Sequence, residues 1–243
     1  MTTLFISDIH LDVSRPDITA IFLRFLKHDA LQADAVYILG DLFEAWIGDD
    51  DSAPLHQTVI EALRTLTQSG VPVHLMHGNR DFLLGQAFAV QTGCQLLTDP
   101  SVISLYGEPT LLMHGDTLCT EDKGYLRYRY CVRNFICQRL FLGLPLKWRQ
   151  AIAERLRKAS QRHTTSVARR IMDVVENEVI DKMTCYQVTQ LIHGHTHRPM
   201  LRYFSLPNGN LGRHIVLGDW DACGSVLIYQ AGGELRLESL SGL

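Results

Sequence analysis

A chain of 243 residues with 46% hydrophobic and 20% charged side chains has the balance of a packed protein, and it can bury a core without disulfides or structural metals. Its six cysteines form no C-x-x-C pair, which excludes a zinc ribbon or a thioredoxin-like motif. The net charge of −3 conceals a division: residues 123–170 carry thirteen Lys and Arg against Glu154 alone, leaving 23 − 13 = 10 bases and 26 − 1 = 25 acids elsewhere.

In chain order, the apolar runs Thr3–Ser7, Ala35–Leu39, Val73–Met76 and Leu111–Met113 predict buried strands. Helical spacing over Ile18–His28 and His56–Ser69 lies between them. A β-α-β-α opening with buried strands predicts an α/β sheet covered by helices. Strand signals vanish from Lys123 to about Asp181, which predicts a helical insertion broken near Gly143-Leu144-Pro145. They resume at Gln190–His193, Leu201–Phe204, Ile215–Leu217, Val226–Tyr229 and Leu235–Leu237, closely spaced as in an antiparallel sheet, with turns at Pro207-Asn208-Gly209 and Gly232-Gly233. Two stacked sheets flanked by helices are expected, as a single domain carrying the insertion at about 123–181. The early acid Asp8 argues against a secretory signal, and no apolar run reaches the roughly 18 residues of a spanning helix, so a cytoplasmic protein is expected.

Five motifs follow predicted strands: Asp8-Ile9-His10, Gly40-Asp41, Gly78-Asn79-Arg80-Asp81, His114-Gly115-Asp116 and Gly194-His195-Thr196-His197. Strand ends in α/β sheets are where loops converge on ligands. Asp, His and Asn suit a mid-series divalent ion. A pair of ions needs a shared carboxylate, and Asp41 is the candidate. Asp8, His10 and His197 would hold one ion, and Asn79, His114 and His195 the other. Asp81 and Asp116 are candidate outer partners for the histidines. Two such cations support phosphoester or phosphoanhydride hydrolysis. His74, His77 and His193 read as core histidines.

This ordered set resembles the signature of the calcineurin-like metallophosphoesterases over residues 1–200. The resemblance implies a four-layer α-β-β-α sandwich of the metallophosphoesterase type, two ions (often Mn2+), and the seven ligands just named. Where many members have His after the motif asparagine, this chain has Arg80, which suits phosphate orientation rather than proton transfer. Asp41, Asn79, Arg80 and His195 are the expected catalytic residues. The string Gly40–Asp51 with Gly78-Asn79-Arg80-Asp81-Phe82 resembles a branch that cleaves the pyrophosphate of UDP-2,3-diacylglucosamine, peripherally, at the cytoplasmic face of the bacterial inner membrane. That branch implies substrate contacts at Asn79, Arg80, Asp122, Tyr125, Arg157, Ser160, Thr164 and His195. It has a lysine where this chain has Val167, a place that Lys158 or Arg162 can fill.

The insertion alternates large apolar groups with arginines, from Tyr125 to Trp148, as acyl chains and an anionic lipid surface require. Trp46 is a candidate wall for an acyl chain. No nucleic acid and no obligate protein partner are expected. Two alternatives stay open: a dimetal phosphodiesterase or pyrophosphatase acting on a soluble nucleotide, and a non-catalytic scaffold of the same fold.

Overall fold

Alternation along single strands explains how the layers assemble. Leu4 and Ile6 join the core beneath one set of helices, whereas Phe5 between them points into a second core. Val36 and Ile38 repeat the pattern against Leu39. On another strand Leu111 and Met113 face a third core and Leu112 the second. Period-two side chains buried on both faces belong to sheets covered on both sides.

The computed structural model describes residues 1–166 and 173–240, with the backbone alone for residues 160–166. Its elements are β1 (Thr2–Ile6), α1 (Pro16–Lys27), β2 (Ala35–Leu39), α2 (Pro54–Gln68), β3 (Val73–Met76), α3 (Gln86–Thr92), β4 (Gln95–Leu97), β5 (Ser101–Leu105) and β6 (Glu108–Met113). They continue with α4 (Lys123–Val132), α5 (Phe135–Leu142), α6 (Leu146–Ser166), α7 (Glu176–Cys185), β7 (Gln190–His193), β8 (Met200–Ser205), β9 (Leu211–Val216), β10 (Gly224–Gln230) and β11 (Leu235–Leu240). One sheet runs β11-β10-β1-β2-β3-β4 and the other β5-β6-β7-β9-β8. Phe5, Leu39 and Met76 of the first meet Leu112, Ile192 and Ile215 of the second. Helices α1 and α2 cover the first sheet and α7 the second, giving the α-β-β-α sandwich.

Proline opens both α1 and α2, where its missing N–H costs nothing. The insertion begins with α4, capped by the Asp122 carboxylate, which accepts the Tyr125 N–H at 2.9 Å. Asn134 caps α5 likewise. The break falls at Gly143-Leu144-Pro145 between α5 and α6. Arg149 fastens α6 to the body: it is buried, donates to the Ile47 carbonyl at 2.7 Å, and pairs with Asp50.

Two expectations need correction, and three elements were not anticipated. The late strands do not form one antiparallel sheet: β9 runs parallel to β7 in the second sheet, while β10 pairs antiparallel with β1 in the first. Strands β4 and β5 and helix α3 carried no clear signal: β4 spans three residues and α3 seven, and β5 alternates exposed and half-buried positions up to Leu105, without an apolar run. Trp46 is no acyl wall; it is 3% exposed and packs on Phe43, His56 and Phe88.

Candidate dimetal site

The five motifs converge just past the ends of β1, β2, β3, β6 and β7. Asp8, His10, Asp41, His195 and His197 all adopt positive φ, from 51° to 69°. Non-glycine residues rarely occupy this region, and such strain concentrates at functional sites. The loops also pass unusually close. A Cβ on Gly78 would lie 2.0 Å from Asp41 Oδ1, and one on Gly40 2.5 Å from His114 Nδ1. Asp81 binds these loops together, accepting the Leu42 N–H and the Gly78 N–H at 2.8 Å each. It therefore serves backbone, not a histidine.

Donor atoms gather around one gap. Asp8, His10 and His197 offer atoms within 4.8 Å of one another, and so do Asp8, Asp41 and His114. Asp41 Oδ2 lies 3.8 Å from His10 Nε2 and 3.8 Å from His114 Nε2, while its Oδ1 accepts the Arg80 N–H at 2.8 Å. Asn79 Oδ1 meets His114 Nε2 and His195 Nδ1, each at 3.0 Å. Asp8 Oδ2 accepts the His195 N–H at 2.8 Å. Asp8 Oδ1 and both ring nitrogens of His10 are buried, yet none of the three makes a hydrogen bond of good geometry. Buried polar atoms without partners, aimed at a shared gap, fit a divalent cation.

The far nitrogens of three histidines lie beside acceptors the sequence does not announce. His10 Nδ1 lies 3.0 Å from Glu44, His197 Nδ1 3.0 Å from Asp219, and His114 Nδ1 2.9 Å from the Leu39 carbonyl. Each arrangement leaves Nε2 turned toward the gap, the usual support for a metal-binding imidazole. Asp116 is no such partner. It accepts from the Tyr125 hydroxyl at 2.5 Å and Arg129 Nε at 2.6 Å, which draws α4 against the site.

Electrostatics agree. Burial opposes charge on Asp8, but the imidazoles of His197, His114 and His10 outweigh it and hold the carboxyl far below its usual range. Burial likewise opposes charge on His114 and His197, yet Asp41 and Asp8 raise His114 to about 9, and Asp219 and Asp8 raise His197 to about 10. Those protons would have to leave before the nitrogens could hold an ion, so ion uptake would release protons near neutral pH. Burial, helped by the charge of His114, lowers His195 to about 4 and keeps it neutral.

Of the expected substrate contacts, Arg80 extends a guanidinium beside the gap, with Nη1 3.8 Å from Glu44 and a buried Nε lacking a partner. The Tyr125 ring stacks on His195 with centroids 6.2 Å apart. Arg157 reaches back from α6 to Asp12 and Glu44, both at 3.0 Å. Asp122 caps α4. The side chains of Ser160 and Thr164, and Val167 altogether, lie outside the described residues. Arg133, not anticipated, donates to the Gly78 carbonyl at 2.8 Å.

His193 is a core residue: its Nε2 lies 2.7 Å from His214 Nε2. Burial, then the His214 charge, lowers His193 to about 3; burial, then Arg202, lowers His214 to about 4. The unfolded chain, with these groups near 6.5, binds protons that the folded chain refuses. Stability should therefore fall as pH drops from about 6.5 toward 4. Thermal midpoints across that window should show a shallower slope for His214→Asn; an unchanged slope would contradict the assignment.

Known proteins resemble this chain. Residues 1–199 match the family described as calcineurin-like phosphoesterase. A protein from Aeromonas hydrophila named UDP-2,3-diacylglucosamine hydrolase is 54% identical over 98% of both chains. One of the same name from Coxiella burnetii is 51% identical over 98% of this chain and 97% of its own. The solved structure of an archaeal phosphodiesterase aligns over 99% of this chain and 100% of its own, at 13% identity and a TM-score of 0.50, a likeness of fold alone. With the family matched across most of its length and the family's fold in place, this chain belongs to the calcineurin-like phosphoesterases.

Proposed function

We propose that this chain hydrolyses the pyrophosphate bond of UDP-2,3-diacylglucosamine, giving UMP and 2,3-diacylglucosamine 1-phosphate, with two Mn2+ ions held by Asp8, His10, Asp41, Asn79, His114, His195 and His197. The observation that carries the chemistry is Asp41 Oδ2, one carboxylate oxygen equally far, at 3.8 Å, from a nitrogen of each ligand group. The substrate is supported by relatives of that name at 51–54% identity over nearly the whole chain. Mixed nitrogen and oxygen donors suit manganese.

When bound, such a pair of cations supplies an activated water and neutralises charge on the phosphoryl oxygens. The chain's own residues do the rest. Arg80 offers its guanidinium, with an unpartnered Nε–H, to a phosphate oxygen as charge develops. Asn79 and Asp8 orient the neutral His195 through its Nδ1 and backbone N–H. Hydrolysis breaks one P–O bond of the anhydride, and the leaving phosphate departs as a stable anion without a strong acid.

The insertion suits the lipid half. No residue of α4 or α5 is fully buried. Tyr130, Phe135, Ile136, Leu140 and Trp148 are each at least 64% exposed, beside a dense run of arginines. No described helix is long and apolar enough to cross a membrane. These groups take up acyl chains and rest the chain peripherally on the anionic inner face of the inner membrane. A soluble nucleotide substrate would leave them without a use.

Protein stripped with EDTA should release no UMP from UDP-2,3-diacylglucosamine, and Mn2+ should restore release. Cyclic AMP and bis-p-nitrophenyl phosphate should turn over far more slowly. Comparable turnover of cyclic AMP without UMP release would favour the soluble-nucleotide reading, and a chain that takes up no metal would favour the scaffold. Flotation with anionic liposomes tests the membrane contact.

A further inference from the structure

The Glu44 carboxylate meets three groups of different kinds. Its Oε2 lies 3.0 Å from Nδ1 of His10, in the first ligand group. Its Oε1 lies 3.0 Å from Nε of Arg157, on α6 of the insertion, and 3.8 Å from Nη1 of Arg80, beside the gap. Glu44 is half-buried in the loop after β2, and the Glu44 N–H donates to the Leu11 carbonyl at 3.1 Å, so the backbone that carries the carboxylate is held in place. Arg157 has a second tie, Nη1 to Asp12 at 3.0 Å, again on the loop that carries Asp8 and His10.

We infer that Glu44 is a positioning residue that joins the insertion to the first metal: one carboxylate orients His10 for an ion and, with its other oxygen, docks α6 through Arg157. An acceptor at His10 Nδ1 leaves the Nε2 lone pair for the ion. An acceptor at Arg157 fixes a long side chain that otherwise samples many rotamers. Only a carboxylate serves both. In Glu44→Gln, an amide whose oxygen faces His10 turns its NH2 toward two guanidiniums, and the reverse orientation sets N–H against the imidazole. The insertion and the ion site would then be ordered by the same group, so a substrate gripped by α6 meets a site already arranged.

This inference rests on the two-ion reading above, and its test is made without substrate. Mn2+ affinity is measured by calorimetry on stripped protein, and amide hydrogen exchange is followed by mass spectrometry over residues 150–159. Glu44→Gln should raise the Mn2+ Kd by about 10–100-fold and also speed exchange in α6 before any ion is added. His10→Ala should weaken Mn2+ binding while α6 stays protected, because the Glu44–Arg157 contact survives. Arg157→Met should loosen α6 at least as much as Glu44→Gln does, and it serves as the test if the glutamine variant does not fold. A Glu44→Gln protein that changes only one readout, or an α6 indifferent to Arg157→Met, would overturn the inference. If the wild-type chain binds no Mn2+, the two-ion reading itself fails.

Discussion

Asp41→Asn is expected to cut UMP release by about a thousandfold and to bring bound Mn2+ below two ions per chain, with the fold retained. Asparagine keeps the volume of a side chain that is almost wholly buried. It cannot keep the chemistry. Asp41 Oδ1 accepts the Arg80 N–H and Oδ2 faces both His10 and His114. An amide can place its oxygen on one side only. Turned to the gap, its NH2 repels cations; turned to Arg80, it sets donor against donor. Burial already pushes the Asp41 carboxyl up, against the pull of His114 and His10, so its charge depends on positive neighbours that an amide has no means to hold. Circular dichroism, metal analysis and single-turnover assays separate folding from chemistry, and normal turnover in this variant would remove Asp41 from the mechanism.

Arg80→Ala should lower turnover by about 10²–10³-fold while both ions remain. The Arg80 backbone N–H, not its side chain, supports Asp41, so alanine preserves the ligand geometry. What disappears is a fixed cation with an unpartnered buried N–H beside the gap. Arg80→Lys should recover little, because an ammonium is a point charge and cannot grip a phosphate with two parallel bonds. Loss of ions from the alanine variant would instead assign Arg80 to the scaffold.

The convergence of the seven candidate donors was legible because each lies in a motif of two to four residues beside a strand, where chain-local spacing decides which side chains share a loop. Strand burial was legible for the same reason: Phe5, Leu39 and Leu112 sit in uninterrupted apolar runs. Glu44 and Asp219 were not, since a carboxylate becomes a histidine's partner only when two loops distant in sequence close on each other. Asp116 shows the converse: two residues from His114 in the chain, it turns away to Tyr125 and Arg129 of α4. Trp46 misled because a tryptophan next to a ligand motif looks available, whereas Phe43, Phe88 and His56 enclose it. Parallel pairing of β9 with β7 was hidden because period-two patterning reports which face is buried, not which neighbour pairs.

The proposed chemistry depends on a pair of divalent ions that Asp41, placed between the two ligand groups, would share. Anomalous scattering from crystals grown with Mn2+ tests this directly. Two peaks about 3.5–4 Å apart are expected, one on each side of Asp41 Oδ2. A single peak, or two that lie away from that oxygen, would contradict it.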